Sequence, residues 1–114
     1  MPRFVILEHT ATEGAIHWDL MLENHGVLLT WSLEPQPALW QRETITAAAT
    51  QRPDHRLAYL DYEGNISGGR GRVERLESGD YEPLGSNRYR LAGERFFGIL
   101  EVLPDRVVFT PAIG

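Results

Sequence analysis

Short runs of β-forming residues, separated by turn signals roughly every 8 to 14 residues, constrain the fold of this chain most strongly. The turn signals are rich in Gly, Pro, Asn and Asp, a pattern typical of an all-β sandwich or barrel. We predict strands at residues 3–9, 15–23, 26–33, 43–50, 56–62, 70–76, 87–92, 96–103 and 106–110, and one helical turn at 37–42. The predicted turns include Asn24-His25-Gly26, Arg52-Pro53-Asp54, Ser78-Gly79-Asp80 and the glycine-rich Gly68–Arg72. The runs also hold aromatic residues that we assign to the core: Trp18, Trp31, Phe96, Phe97 and Phe109.

The length and composition bound the class of protein. The 114 residues fit a single domain, residues 1–114. No hydrophobic stretch reaches eighteen residues and the N-terminus lacks a signal-peptide pattern, so we expect a cytoplasmic protein without a membrane partner. The chain has no cysteine, so any metal must be held by His, Asp or Glu. The net charge of −5 argues against a general DNA-coating protein, but not against an enzyme that holds one phosphate.

The second predicted strand carries a candidate metal site, because side chains alternate between the two faces of a strand. One face is an apolar set suited to a core: Ile16, Trp18, Leu20 and Leu22. The other face carries His17, Asp19, Met21 and Glu23. A hairpin through Thr10–Gly14 would bring His9 beside His17. Two histidines and a carboxylate form a familiar open site for Mn, Fe or Zn, although an outward strand face is also polar in most proteins.

Longer stretches of the chain follow one another in a recognisable order. They read RFVILEH, IHWDLMLENHGVLLTWSL, PDHRLAYLDYEGNI and YRLAGERFFGILEVL. In this order, and with compatible gaps, they resemble the 3′-phosphoesterase domain of bacterial DNA ligase D, over residues 3 to about 103. The resemblance implies a compact, single-domain β-barrel of about eight strands with at most one or two short helical turns. It also implies a site for Mn²⁺, with Zn²⁺ or another divalent ion as the alternative, and removal of a 3′-terminal phosphate or ribonucleotide from a primer strand.

The resemblance assigns roles to individual residues. The family's metal-binding histidines fall on His9 and His17, and its metal-binding aspartate falls on Asp19. Its further histidine, which would contact the phosphate and act as a general acid or base, falls on His55, and the tyrosine of the same segment falls on Tyr59. The resemblance therefore implies His17 and His55 as catalytic residues, and His55 and Tyr59 as phosphate-binding residues.

Three positive charges of the family pattern are absent. Their positions fall on Met21, Leu29 and Ala47, so the cationic part of the phosphate site is missing while the metal part is retained. Phosphoryl transfer depends on positioning and on neutralising charge, so the loss of one charged donor costs on the order of 10²–10³ in rate. Arg52 is a candidate replacement that would bind phosphate, and so are Arg70 and Arg72, although for the last two we favour the explanation that they belong to a glycine-rich hairpin turn and are exposed to solvent.

We therefore expect a metal-dependent hydrolase, a monomer that acts on the 3′ end of primer–template DNA and has a separate ligase or polymerase as a candidate partner. The alternative is an accessory module that keeps the metal site, is catalytically weakened and binds a nucleic-acid end or a protein. A third hypothesis, a metal-dependent enzyme with another class of substrate, follows if the site opens onto an apolar pocket around Met21.

Overall fold

The computed structural model describes residues 2–34, 42–66 and 68–112. These residues form nine strands: β1 (Arg3–Thr10), β2 (Ile16–Asn24), β3 (Val27–Glu34), β4 (Ile45–His55), β5 (Gly64–Asn65), β6 (Arg72–Gly85), β7 (Arg88–Gly93), β8 (Phe97–Val102) and β9 (Arg106–Pro111). One 3₁₀ helix, Leu57–Leu60, completes the regular structure of the described ranges. The helical turn predicted at 37–42 lies outside the described residues except for Arg42. Within these ranges, no helix has the length and apolar character needed to cross a membrane.

Eight of the strands form a closed antiparallel ring. Their order is β1-β2-β3-β4-β9-β8-β7-β6, and β6 pairs with β1 to close the ring. The two-residue strand β5 adds to β6. Closure gives every ring strand a partner on each side, which leaves no long unpaired edge. The structure confirms the predicted all-β barrel of about eight strands.

Hydrophobic residues cover both faces of β1 and β2. The barrel interior is filled by buried residues from all eight ring strands, among them Phe4, Ile6, Leu20, Leu22, Trp31, Leu91, Leu100 and Phe109. Outward-facing strand residues and one residue of the 3₁₀ helix form a second buried group, which we call the outer cluster: Val5, Leu7, Met21, Leu28, Leu60 and Val73. Leu60 belongs to the 3₁₀ helix, so this helix covers part of the outer face of the barrel.

The segment 52–62 differs from the sequence prediction. Strand β4 continues through the predicted turn at residues 52–54 and ends at His55. Thr30 pairs with Arg52 and Leu28 pairs with His55, so β4 has one extra residue there, and such a bulge accommodates a proline. The strand predicted at 56–62 is wrong, because the chain forms the 3₁₀ helix and buries Leu60 against the outer cluster.

Strand β6 starts at Arg72, two residues later than predicted, but it is longer than predicted because it runs through the predicted turn at residues 78–80. A Cβ atom on Gly79 would lie 2.2 Å from the carbonyl oxygen of Ala92, so this glycine marks a close approach of two strands. Two residues predicted for the core are about half exposed: Ile16, at the first position of β2, and Phe97, which alternates with the buried Phe96. The other aromatic residues assigned to the core are buried or pack against it.

Candidate metal centre

The β1–β2 hairpin places three potential metal ligands together. His9 and His17 are direct cross-strand partners, and Asp19 lies two residues further along β2 on the same face. His9 Nδ1 is 3.1 Å from His17 Nε2, and His17 Nε2 is 3.2 Å from Asp19 Oδ1. One ligand atom from each residue lies within 4.8 Å of the other two. The structure thus brings together the three residues that the sequence proposes as metal ligands.

The donor set and its spacing fit a divalent ion. Metal–ligand bonds of about 2.1 Å separate neighbouring ligand atoms by roughly 3.0–3.4 Å, which includes both observed distances. His9 Nε2 lies 2.9 Å from the carbonyl oxygen of Arg70, so it donates a proton there. In a neutral imidazole this leaves the Nδ1 lone pair directed at His17, the usual way in which an outer partner orients a metal-binding histidine. Asp19 is buried, and Ser32 Oγ donates to its Oδ1 at 3.1 Å.

A glycine-rich turn between β5 and β6 supplies the carbonyl that holds His9. Gly68, Gly69 and Gly71 all have positive φ, and the backbone N–H of Ile66 donates to the carbonyl oxygen of Gly71 at 2.7 Å. A Cβ atom on Gly71 would lie only 2.0 Å from the carbonyl oxygen of Thr10. The predicted turn is therefore confirmed, and its glycines allow it to pack directly against the end of β1.

A cleft of about 360 Å³ opens beside the three potential ligands. Its lining includes His9, Asp19, Met21, His55, Tyr59 and Arg70. His55 ends β4, and its Nδ1 donates to the carbonyl oxygen of Pro53 at 2.9 Å, which leaves Nε2 available for another partner. The Tyr59 ring lies 5.6 Å from the His55 ring in a T-shaped arrangement. Two of the residues predicted to bind phosphate, His55 and Tyr59, thus border the same cleft as two of the potential metal ligands.

The arginines considered as replacement cations lie in different places. Arg52 borders a smaller concavity of about 210 Å³ together with His9, His17 and His55, and its Nε donates to Ser32 Oγ at 3.0 Å. Arg70 lines the main cleft. Arg72 instead forms an ion pair of 2.5 Å with Glu74 on β6.

Ser32 and Arg56 also border these concavities, and the sequence interpretation gave neither of them a role. For Ser32 a usable signal exists in the sequence. The two-residue turn at His25 and Gly26 pairs Asn24 with Val27. Counting back from that pair along an antiparallel hairpin places Ser32 opposite Asp19, as the structure shows.

Comparison with known sequences identifies the family. The DNA ligase D 3′-phosphoesterase domain matches residues 7–101, which is most of the chain. The chain belongs to this family.

Three multidomain relatives contain a region similar to this chain. The multifunctional non-homologous end joining protein LigD of Pseudomonas aeruginosa is 31% identical, over 84% of this chain and 12% of its own length. The corresponding LigD proteins of Mycobacterium bovis and Mycolicibacterium smegmatis are each 35% identical, over 69% and 70% of this chain and 10% of their own lengths. The chain therefore spans about a tenth of the length of these curated relatives.

The three residues that differ from the phosphoesterase-domain pattern, Met21, Leu29 and Ala47, lie in different parts of the structure. Met21 lines the cleft and is buried in the outer cluster. Ala47 belongs to the hydrophobic group inside the barrel, and Leu29 packs against that group. Of these three positions, only that of Met21 borders the cleft, so it is the one where a positive charge would lie next to a bound phosphate.

Proposed function

We propose that this domain is a divalent-metal-dependent phosphoesterase that removes 3′-terminal phosphates or ribonucleotides during DNA end repair. Membership of the family, and similarity to non-homologous end joining proteins, support a role in end repair. The observation that carries the proposal is the cluster of His9, His17 and Asp19 next to a cleft that also holds His55 and Tyr59. Mn²⁺ is the proposed ion, with Zn²⁺ as the alternative.

His9, His17 and Asp19 would hold the ion through two imidazole nitrogens and one carboxylate oxygen. When bound, a divalent ion would supply Lewis-acid chemistry, since it would neutralise the phosphoryl oxygens and activate the attacking water. Little movement would be needed, because His17 Nε2 already lies at suitable distances from His9 Nδ1 and Asp19 Oδ1, and the ligand atoms of all three residues lie within 4.8 Å of one another.

His55 is assigned to proton transfer. During hydrolysis a bond forms between the water oxygen and phosphorus while the bond to the 3′ oxygen breaks, and this oxygen needs a proton. His55 Nδ1 is held by the Pro53 carbonyl, so the ring would donate that proton through Nε2. Tyr59 and Arg52 would contact the remaining phosphate oxygens. The acidic net charge gives no long-range attraction for DNA, so these local contacts would provide the binding.

The test is Mn²⁺-dependent turnover of primer–template DNA that ends in a 3′-phosphate or in a single ribonucleotide. Wild-type protein is expected to release the terminal group, and both EDTA and the His17→Ala substitution are expected to abolish release. His25→Asn is the matched control, because His25 lies in an exposed turn at positive φ, which asparagine tolerates. Equal turnover by wild type and His17→Ala would contradict the proposal.

A second candidate function is an accessory module that binds a nucleic-acid end or a protein without catalysis. Met21 favours it, because an apolar side chain occupies the cleft position at which the family pattern has an arginine. Metal-loaded protein that binds primer–template DNA but releases no terminal group would support this alternative.

A further inference from the structure

A chain of hydrogen bonds runs outward from the candidate metal centre. Ser32 Oγ donates to Asp19 Oδ1 at 3.1 Å and accepts a hydrogen bond from Arg52 Nε at 3.0 Å. Asp19 is buried, Ser32 is half-buried and Arg52 is exposed. These hydrogen bonds therefore connect a buried carboxylate to an exposed cation that borders the smaller concavity.

The direction of both hydrogen bonds follows from the groups involved. A carboxylate can only accept, so the single hydroxyl proton of Ser32 goes to Asp19. The guanidinium can only donate, so the hydroxyl oxygen of Ser32 accepts from Arg52. One hydroxyl group thus contacts two charged side chains at once.

The barrel itself sets this arrangement. Asp19 on β2 is the cross-strand partner of Ser32 on β3, and Ser32 is the partner of Thr50 on β4. Arg52 lies two residues beyond Thr50 and therefore on the same face. Arg52 and Ser32 also border the concavity that His9, His17 and His55 line. The arginine is thus held at the candidate site by three adjacent strands.

Arg52 is a cation beside the candidate metal centre, whereas Met21, at the position where the family pattern has an arginine, is uncharged. Catalysis of phosphoryl transfer requires positive charge near the phosphate oxygens, and Met21 supplies none. The bond from Arg52 to Ser32 uses Nε, and guanidinium groups bind phosphate oxygens well through their terminal nitrogens. We propose that Ser32 is a positioning residue that couples the metal-binding carboxylate to Arg52, and that Arg52 provides the phosphate-binding charge that the Met21 position lacks. This inference rests on the proposed function.

Two titrations that need no turnover test the coupling. The first measures the affinity of the Mn²⁺-loaded protein for methyl phosphate by calorimetry, and the second measures Mn²⁺ affinity by electron paramagnetic resonance. Arg52→Gln is expected to weaken methyl phosphate binding at least tenfold, roughly the effect of one bond to a charged group, and to leave Mn²⁺ affinity unchanged. Ser32→Ala is expected to weaken both affinities about tenfold, as the loss of an outer partner does at metal sites.

Controls separate positioning from general damage to the fold. Ser32→Thr keeps the hydroxyl and is expected to restore both affinities. Arg72→Gln removes an exposed arginine that pairs with Glu74, and it is expected to bind methyl phosphate as wild type does. The double variant of Ser32→Ala and Arg52→Gln is expected to bind methyl phosphate no more weakly than Arg52→Gln alone, because the two residues act through one contact.

Several results would overturn the coupling: unchanged methyl phosphate affinity in Arg52→Gln, fully additive losses in the double variant, or a Mn²⁺-loaded wild type that does not bind methyl phosphate. Turnover distinguishes this inference from the proposed function. If both titrations give the expected results but no 3′-terminal group is released, the coupling stands and the proposed catalysis fails. If wild type turns over and Arg52→Gln binds methyl phosphate normally, the coupling alone fails.

Discussion

Replacing Glu77 with glutamine is expected to lower the free energy of unfolding by about 3 kcal/mol or more. Glu77 is a buried carboxylate on β6 that holds the turn between β7 and β8. Its Oε1 accepts the backbone N–H groups of Ser78 at 3.0 Å and Glu94 at 3.2 Å, and its Oε2 accepts those of Arg95 at 2.6 Å and Phe96 at 2.5 Å.

The magnitude follows from what an amide group can accept. Glutamine keeps one oxygen but turns the other into an NH₂ donor, so two of the backbone N–H groups lose their acceptor. A hydrogen bond to a charged group contributes about 1.5–3 kcal/mol, so two such bonds contribute about 3–6 kcal/mol. Glu94 and Arg95 are exposed, and water can reach part of the turn, which favours the lower end of that range.

Urea unfolding, followed by tryptophan fluorescence, measures the effect as a lower midpoint at an unchanged slope. Glu82→Gln is the matched control, because Glu82 lies on the same strand, is exposed and pairs with Arg90 at 2.5 Å. Such a surface pair contributes about 0–1 kcal/mol. A loss of less than about 1 kcal/mol in Glu77→Gln, equal to that of the control, would refute the view that this carboxylate holds the turn.

Three further predictions concern the barrel and the site. The Tyr81 hydroxyl donates to the Glu23 carbonyl at 2.6 Å, and burial raises the pKa of Tyr81. The protonated hydroxyl therefore contributes to the free energy of unfolding, fully below the unfolded-state pKa of about 10, and this contribution is lost as the pH rises through the higher folded-state pKa. Urea midpoints measured at increasing pH should therefore fall more steeply in wild type than in Tyr81→Phe. Gly71→Ala should displace the turn that orients His9 and weaken Mn²⁺ binding about tenfold in an electron paramagnetic resonance titration. His55→Gln should keep Mn²⁺ affinity and lower turnover of a 3′-phosphate end by about 10² or more, which single-turnover kinetics can measure.

The local part of the site could be predicted from the sequence. His9 and His17 lie on neighbouring strands joined by a short loop, and period-two alternation places Asp19 on the same face as His17. These relations depend on adjacent strands only. The pairing of β1 with β6, which closes the ring, joins segments far apart in the sequence, and strand periodicity carries no information about it.

The covering of the outer face could not be predicted. Alternation assigns Met21 to a polar, outward face, yet Met21 is buried because Leu60 of the 3₁₀ helix packs in the same outer cluster. The bulge at the end of β4, which brings His55 to the cleft, looks like a turn in the sequence because it contains Pro53 and Asp54. Gly79 is misleading in the same way, since its small size serves strand packing and not a turn. In each case contacts between distant segments override the local signal.

Whether His9, His17 and Asp19 hold one divalent ion can be measured by a titration with Mn²⁺ followed by electron paramagnetic resonance. We expect that wild-type protein binds one ion per chain, that His17→Ala binds none in the same concentration range, and that His25→Asn binds as wild type does. Absence of binding by folded wild type, or equal binding by His17→Ala, would contradict this expectation.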